Sequence, residues 1–304
     1  MMRISTLLFV LFSCLAFVLE SHAGQEPKFT KFNVPHAGRG AGQGTIPIGI
    51  VNGDWIMGSY IDRKGVSHGF LRSPDGTITE FDAPGAGTQP GQGTIEVHGM
   101  NSALEIVGTV QGADNVYHGF VRSPSGKFTT FDCPGAGTGS YLGTAAHSVS
   151  GAGLISAEYV DDNNVWHGCV RDRHGKVTVY DPPDIGTVPG SNQGTYPAIF
   201  SGINPEGAII GEYMDTNYTY HAYLRAADGT ITEFDDPNAG TQALQGSGTS
   251  GINRAGEING WYIDPNNVFH GYLRTPDSTM TEYDVPGSGS RTVEHQLLIV
   301  FFST

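Results

Sequence analysis

The chain is poor in charged residues, and most of the charges that it has are acidic. Only 15% of its 304 residues are charged, against about a quarter in average proteins. Sixteen lysines and arginines face 30 aspartates and glutamates, which gives a net charge of −14. Such a surface repels phosphate backbones and anionic lipid headgroups, and no run of basic residues offsets it. The composition therefore argues against a nucleic acid or a membrane surface as the partner.

Long hydrophobic runs are also scarce. The run Leu7–Val18 follows Arg3 and precedes the small-residue tripeptide Ser21-His22-Ala23. It is too short for a spanning helix, which needs about 20 apolar residues, and its flanks are typical of a secretory signal. We expect residues 1–23 to be a cleavable signal peptide and residues 24–304 to be a single exported domain. The mature protein would then be secreted or periplasmic, with no membrane insertion after cleavage.

Cysteine is rare, with three copies in the chain. Cys14 lies in the predicted signal, which leaves Cys133 and Cys169 in a compartment that permits disulfide bonds. Two cysteines are too few for a disulfide framework, and both stand where other repeat copies hold ordinary residues. The sequence leaves two alternatives open, a disulfide bond and two buried thiols.

Glycine and proline, in contrast, are abundant, with 44 and 17 copies. Both residues break helices, so a coiled coil or a helical bundle is excluded. The strand-type residues between them come in short runs, and a hydrophobic content of 38% is enough for a core. This pattern favours an all-β chain with many turns.

An internal repeat of about 50 residues organises the chain. A histidine followed by glycine, or once by alanine, recurs at His68, His118, His167, His221 and His270. The repeat units run over about 36–84, 85–134, 135–183, 184–237 and 238–286.

Each unit contains four strand-like parts. The first ends in a Gly-Ile-Asn-like corner, as at residues 202–204, and the second ends in a polar turn, as at Ile209–Met214 before Asp215. The third runs from the repeated histidine through an aromatic residue to arginine and turns at a pair such as Asp75-Gly76, a strong hairpin signal. The fourth, residues 77–82 in the first unit, alternates as a half-exposed strand does.

Four antiparallel strands in so few residues cannot bury their faces without neighbouring units. The sequence therefore predicts a β-propeller of five four-stranded blades. An open β-solenoid is less favoured because its strands are parallel and its turns are usually shorter. A further strand, Lys28–Pro35, precedes the first unit, and an apolar C-terminal strand is expected within 291–304. Either the N-terminal strand closes a five-bladed ring on the last blade, or both strands form a reduced sixth blade.

The repeat resembles exported bacterial proteins of the HAF type, which carry a His-Ala-Phe motif followed by a Gly-Ile-Asn corner. Here the motif reads His-Gly-Phe, His-Ala-Tyr or His-Gly-Tyr, and His-Gly-Cys in the third unit, where Cys169 replaces the aromatic residue. The resemblance covers nearly all of the mature chain. It implies an exported, propeller-like repeat protein and supplies no catalytic residues.

The repeated histidines lie too far apart around a ring to share one metal ion. We expect each to hydrogen-bond a neighbouring turn. An aspartate follows the fourth strand in every unit and is expected to cap the exit turn. These aspartates are Asp82, Asp132, Asp181, Asp235 and Asp284.

Two sets of loops are expected at one end of the blades. Antiparallel strand order places the glycine-rich connections between units on the same side as the turns between second and third strands. Loops on one face of a rigid scaffold commonly bind ligands. The candidate ligand-binding residues there are Asp161, Asn163, Trp166, Asp215, Asn217, Asp264 and Asn266. The Asp-x-Asn groups suit Ca²⁺, but they lack the longer ligand series of a calcium loop, so ordinary turns are favoured.

A second candidate site lies on the first strands. Aligning the corners places Ile48, His98, His147, Ser201 and Ser250 in one column, and Glu96 lies two residues before His98. Glu96, His98 and His147 suit a zinc site or an acid–base pair if they meet across blades. Met100 shares their face and aligns with apolar residues, which favours a hydrogen-bonded core histidine instead.

The leading hypothesis is an exported, non-catalytic scaffold that binds a glycan or an extracellular protein through its glycine-rich loop face and needs no cofactor. One alternative is a carbohydrate-active hydrolase or lyase that works in the central channel through Glu96, His98 and His147. Another is a purely structural component of the envelope or matrix.

Overall fold

The computed structural model of the chain describes residues 29–51 and 53–284. The chain divides into two units, Met1–Phe32 and Asn33–Thr304, and every described strand belongs to the second. The predicted signal peptide and the predicted C-terminal strand lie outside the described residues. The described part consists of strands and turns, and none of it forms a helix that is long and apolar enough to cross a membrane.

Twenty strands form five consecutive four-stranded units, which we call blades I to V. Blade I consists of β1 (Gly44–Val51), β2 (Trp55–Ile61), β3 (Ser67–Arg72) and β4 (Ile78–Phe81). Blade II consists of β5 (Gly93–Met100), β6 (Ile106–Gln111), β7 (Tyr117–Arg122) and β8 (Phe128–Phe131). Blade III consists of β9 (Gly143–Val149), β10 (Ile155–Val160), β11 (Trp166–Arg171) and β12 (Val177–Tyr180). Blade IV consists of β13 (Gly194–Pro197), β14 (Ile209–Met214), β15 (Tyr220–Arg225) and β16 (Ile231–Phe234). Blade V consists of β17 (Gly246–Ile252), β18 (Ile258–Ile263), β19 (Phe269–Arg274) and β20 (Met280–Tyr283).

Within each blade every strand pairs antiparallel with the next one along the chain. A single parallel bridge joins the start of a third strand to the start of the next blade, as between Trp166 and Gly194. The prediction of an all-β chain is therefore confirmed. No strand pairing in the described part joins blade V to blade I, so these residues do not form a closed ring.

The hydrophobic core is divided among the four junctions between successive blades. Met57 of blade I packs with Val97 and Phe120 of blade II, and Tyr180 of blade III packs with Ile209 and Tyr223 of blade IV. The other two junctions have clusters of the same kind. Because each blade buries its faces against its neighbours, the blades depend on one another for their stability.

The third strand of each blade explains two features of the repeat motif. In four blades its glycine lies under the aromatic ring that ends the fourth strand, and a Cβ at Gly168 would come within 2.6 Å of the Tyr180 ring; blade IV has Ala222 at this position. In blades II to V its arginine lies over the fourth-strand aromatic ring of the preceding blade, as Arg274 does over Phe234 at 4.5 Å. A small residue and a cation at these positions thus serve packing.

Glycine begins the first strand of every blade, and in blades II to V the chain passes close to the preceding blade there. Gly194 has φ of 131°, and a Cβ on it would overlap the backbone carbonyl of Trp166. No other residue combines this conformation with this clearance.

A disulfide bond connects blades II and III. Cys133 follows β8, Cys169 lies in β11, and their Cα atoms are 6.4 Å apart. Both side chains are buried in the core of this junction. The structure therefore contains the first of the two alternatives that the sequence left open.

Two expectations about the strands were wrong. Residues 29–34, expected to form a strand, have no regular secondary structure, because no described strand pairs with them. In blade IV the first strand ends at Pro197, and Ser201 has φ of 50°. A left-handed backbone at Ser201 cannot continue an extended strand, so the chain leaves the sheet before the predicted Ser201 column.

Candidate functional site

The repeated histidines are held between two carboxylates and an aromatic ring. In all five blades Nδ1 donates to the aspartate after the fourth strand, at 2.7 to 3.0 Å. In four blades Nε2 also faces the aspartate of the preceding turn, at 3.7 to 3.9 Å, and the ring stacks on a tyrosine. In blade II Gly112 and Val110 occupy these two positions. The histidines therefore tie together the edges of each blade, as the scaffold role predicts.

The predicted loop face is present, and its turns and connections are bonded to each other. The connection before blade IV donates from Gly190 N to Asn163 O at 2.8 Å, and the one before blade V donates from Leu244 N to Tyr218 O at 2.7 Å. Each connection also reaches the turn of the following blade, where Gln193 Nε2 donates to Asp215 O.

The aspartates of this face are engaged in their own turns. Asp161 Oδ1 accepts from the backbone of Asn163 and Val165, at 2.9 and 2.8 Å, and Oδ2 accepts from Asn163 Nδ2. Asp215 with Asn217 and Asp264 with Asn266 repeat this arrangement. Their carboxylates act as turn caps, and a role for these residues in ligand binding remains a prediction. Across residues 29–51 and 53–284, no three His, Cys, Asp or Glu side chains are placed to hold a metal ion.

Glu96, His98 and His147 do meet, as the column alignment predicts. His98 Nδ1 lies 3.4 Å from His147 Nδ1 and 3.8 Å from Glu96 Oε2. Phe200, from the irregular segment of blade IV, packs edge-on against His98 at 5.6 Å. Because these residues come from blades II, III and IV, the first strands converge at one place.

Glu158, which the sequence did not single out, completes this cluster. Its Oε1 lies 3.0 Å from His147 Nε2, and both side chains are buried. Burial opposes the charged form of His147, but the charge and hydrogen bond of Glu158 outweigh it and raise the pKa of His147. Burial lowers the pKa of His98 to about 4, with the neighbouring His147 adding to the effect. The cluster thus places His98, whose pKa is lowered, beside a buried His147 that faces the Glu158 carboxylate.

Five partly buried aromatic side chains lie in sequence along blades III to V. We call this set the aromatic arc: Trp166, Tyr196, Tyr220, Trp261 and Phe269. The ring centroids are 5.5 Å apart for Trp166 and Tyr196, and 5.7 Å apart for both Tyr220–Trp261 and Trp261–Phe269. Trp166, Tyr220 and Phe269 each begin a third strand, directly after the turns of the loop face.

Two carboxylates accompany the arc. Glu158 lies beside Trp166 on the same face of blade III, and Glu212 stands opposite Tyr196 in the strand register of blade IV. Burial, with the charge of Glu158 adding to it, raises the pKa of Glu212 to about 8. Glu212 Oε2 accepts a long hydrogen bond of 3.4 Å from the backbone of Thr249 in blade V.

One signal in the sequence would have identified these carboxylates. The fourth residue of the second strand, counted from Ile106 in blade II, is Thr109, Glu158, Glu212 and Trp261 in blades II to V, and Ser59 takes its place in blade I. The neighbouring positions are small or apolar in every copy. A position that changes chemistry within an otherwise regular repeat is where a shared scaffold is adapted.

Comparison with known proteins gives structural neighbours only. No family model matches the chain, and no curated protein matches it. The fucose-specific six-bladed β-propeller lectin of Aleuria aurantia is 16% identical, with a TM-score of 0.46 over 79% of this chain and 78% of the lectin. The protein AofleA of Arthrobotrys oligospora is 12% identical, with a TM-score of 0.44 over 80% of this chain and 73% of that one. At these scores the likeness carries no argument about ligand or blade number.

Proposed function

We propose that this chain is an exported, non-catalytic binding module that holds a glycan along the aromatic arc. The observation that carries the proposal is the pairing of aromatic rings across two successive junctions, Trp166 with Tyr196 and Tyr220 with Trp261. The apolar faces of sugar rings stack on such rings, and their hydroxyl groups hydrogen-bond to carboxylates and amides nearby.

Polar groups suited to sugar hydroxyls border the arc. Trp166 Nε1 and Thr249 Oγ1 are buried and have no hydrogen-bond partner among the described residues. Glu212 is only weakly engaged, through its bond from the Thr249 backbone. A buried polar atom without a partner carries a free-energy cost that a ligand hydroxyl removes.

The junction between blades I and II lacks these aromatic and acidic residues. Blade I has Ser67 where the arc residues begin their third strands, and Ser59 where blades III and IV carry glutamate. The scaffold is the same in both places, so the aromatic and acidic residues are additions to a fold that forms without them.

The test is a glycan array probed with the protein as the cell exports it, followed by calorimetry on the glycans that bind. Replacing Trp166 or Trp261 with alanine should weaken binding by about tenfold or more, because each substitution removes a stacking surface. Val179→Ala is the matched control, since Val179 is 43% exposed on the fourth strand of blade III, away from the arc.

Unchanged affinity in both tryptophan variants, with their thermal unfolding also unchanged, would refute a site on the arc. Binding that is lost only when loop residues such as Asn163 or Asn217 are replaced would move the site to the loop face. If an extracellular protein rather than a glycan binds through Trp166 and Trp261, the glycan proposal fails, but the aromatic arc is still a binding surface.

The proposal includes export through the N-terminal signal, membership of the HAF-type repeat proteins and a reduced sixth blade from the terminal segments. Two observations support the blade. Ile50 of blade I is 61% exposed, while Ile203 and Ile252 at the equivalent positions are 8% and 5% exposed. His36 also bonds to Glu80 as Asn238 does to Glu282, so residues before β1 repeat a connection that elsewhere follows a complete blade.

A further inference from the structure

Glu212 lies among aromatic side chains. It shares a face of blade IV with Tyr196 and Tyr220, and Trp261 packs edge-on against Tyr220 from blade V. Burial raises the pKa of Tyr220, Tyr223 and Tyr272, and the charge of Glu212 adds to the effect. The carboxylate therefore stands in a setting of aromatic rings with few competing polar groups.

No cation in the described part of the chain neutralises Glu212. Every ion pair of those residues involves other carboxylates. Glu158, in contrast, has His147 at 3.0 Å. A carboxylate removed from water without a partner takes up a proton or a cation, because the bare charge is costly there.

A second, independent group points into the same junction. Thr249 is 5% exposed, its backbone N–H reaches Glu212, and its Oγ1 has no hydrogen-bond partner among the described residues. A hydroxyl oxygen and a carboxylate are both acceptors, so together they suit a ligand that donates hydrogen bonds.

We propose that the aromatic arc recognises the protonated amine of an amino sugar, with Glu212 as its counter-ion. The inference rests on the proposed glycan-binding function and names the class of its ligand. An ammonium group is attracted to the faces of tryptophan and tyrosine rings and pairs with a carboxylate. The net charge of −14 concentrates such cations around the protein.

The experiment compares two sugars of equal length, a glucosamine hexamer and an N-acetylglucosamine hexamer. Calorimetry at about pH 6 keeps the amine of the first one charged. The glucosamine hexamer should bind about tenfold tighter or more, because the acetylated sugar offers neither the cation–π contact nor the ion pair. Glu212→Gln should remove this preference, and binding to the native protein should release a proton, because Glu212 loses one to the solvent.

Glu206→Gln is the matched control. It removes a carboxyl group from the same blade, and Glu206 is exposed in the turn between the first and second strands, away from the loop face. The glucosamine preference should persist in this variant. Because glutamine is a neutral replacement of similar size for the partly buried Glu212 side chain, Glu212→Gln is expected to fold.

Equal or tighter binding of the acetylated hexamer would overturn the amine inference, and so would an unchanged preference in Glu212→Gln. If the acetylated hexamer binds as tightly as the glucosamine hexamer or more tightly, and Trp261→Ala abolishes that binding, the inference is overturned while the proposed function stands. If neither hexamer binds, the inference is also overturned, and the glycan array decides the proposed function separately.

Discussion

Cys133, after the fourth strand of blade II, forms a disulfide bond with Cys169 in the third strand of blade III. Cys169 takes the place that Phe70, Phe120 and Tyr272 hold in other blades. A covalent bond therefore replaces the packing of a large ring at this junction.

Replacing both cysteines with alanine should lower the free energy of unfolding by about 2–4 kcal/mol, because the bond closes a loop in the unfolded chain. The sequence separation of the two cysteines is 36 residues. Thermal unfolding with and without a reductant measures the change. A melting temperature that changes with neither the reductant nor the double substitution would contradict a structural role for the disulfide bond.

The stability contributed by His221 should depend on pH. The hydrogen bond that His221 donates to Asp235, which outweighs burial, raises the pKa of His221. A raised pKa in the folded state means that the contribution is complete below the unfolded pKa of about 6.5 and is lost as pH rises through the folded value. Asp235→Asn should therefore cost more stability in urea unfolding at pH 5.5 than at pH 8.5.

His118→Gln and His221→Gln provide a matched comparison. His118 faces one carboxylate, Asp132, because Gly112 stands where Asp215 faces His221. The loss of stability should vary with pH more strongly in His221→Gln. Equal pH dependence in both variants would show that the second aspartate has no effect.

The stability that Glu212 contributes should depend on pH with the opposite sign to that of an ordinary surface carboxylate. Its pKa is raised by burial to about 8, so the protein loses stability as pH rises from the unfolded value of 4.5 through 8. Glu212→Gln should therefore stabilise the protein at pH 9, by on the order of 2 kcal/mol. It should have little effect at pH 4, where the native carboxyl is protonated in both states. Urea unfolding at the two pH values measures this, and destabilisation at pH 9 would contradict the assignment.

Ile50→Lys tests the sixth blade. If a further blade covers Ile50, a buried lysine should cost about 1–3 kcal/mol, and if the face is open the change should stay within about 0.5 kcal/mol. Ile252→Lys is the reference, because Ile252 is 5% exposed at the equivalent position of blade V. Thermal unfolding of the two variants compares them directly.

The repeat makes the strands predictable because residues at equivalent positions pack in the same way in each blade. Ile209–Met214 was expected with the bounds that the structure has, since its apolar run ends at an aspartate turn. The column alignment made a meeting of Glu96, His98 and His147 an alternative, and the structure places His98 Nδ1 3.4 Å from His147 Nδ1 and 3.8 Å from Glu96 Oε2.

Other features depend on context that a repeat does not contain. The strand expected at Lys28–Pro35 has no partner among the described strands, and the first strand of blade IV ends before the left-handed backbone of Ser201. Glu158 and Glu212 were missed because they differ from the residues at the same position in other units. A shared motif carries no information about a position at which the copies differ.

The location of Glu158 and Glu212 at junctions between blades has a consequence for chains with more repeat units. Each junction is built from two successive units, so duplicating one unit adds a junction and leaves the existing ones intact. The number of sites then increases with chain length, at a fixed spacing set by the packing of the blades. A polymer that reaches two sites at once is held with avidity, because the second contact forms at a high effective concentration.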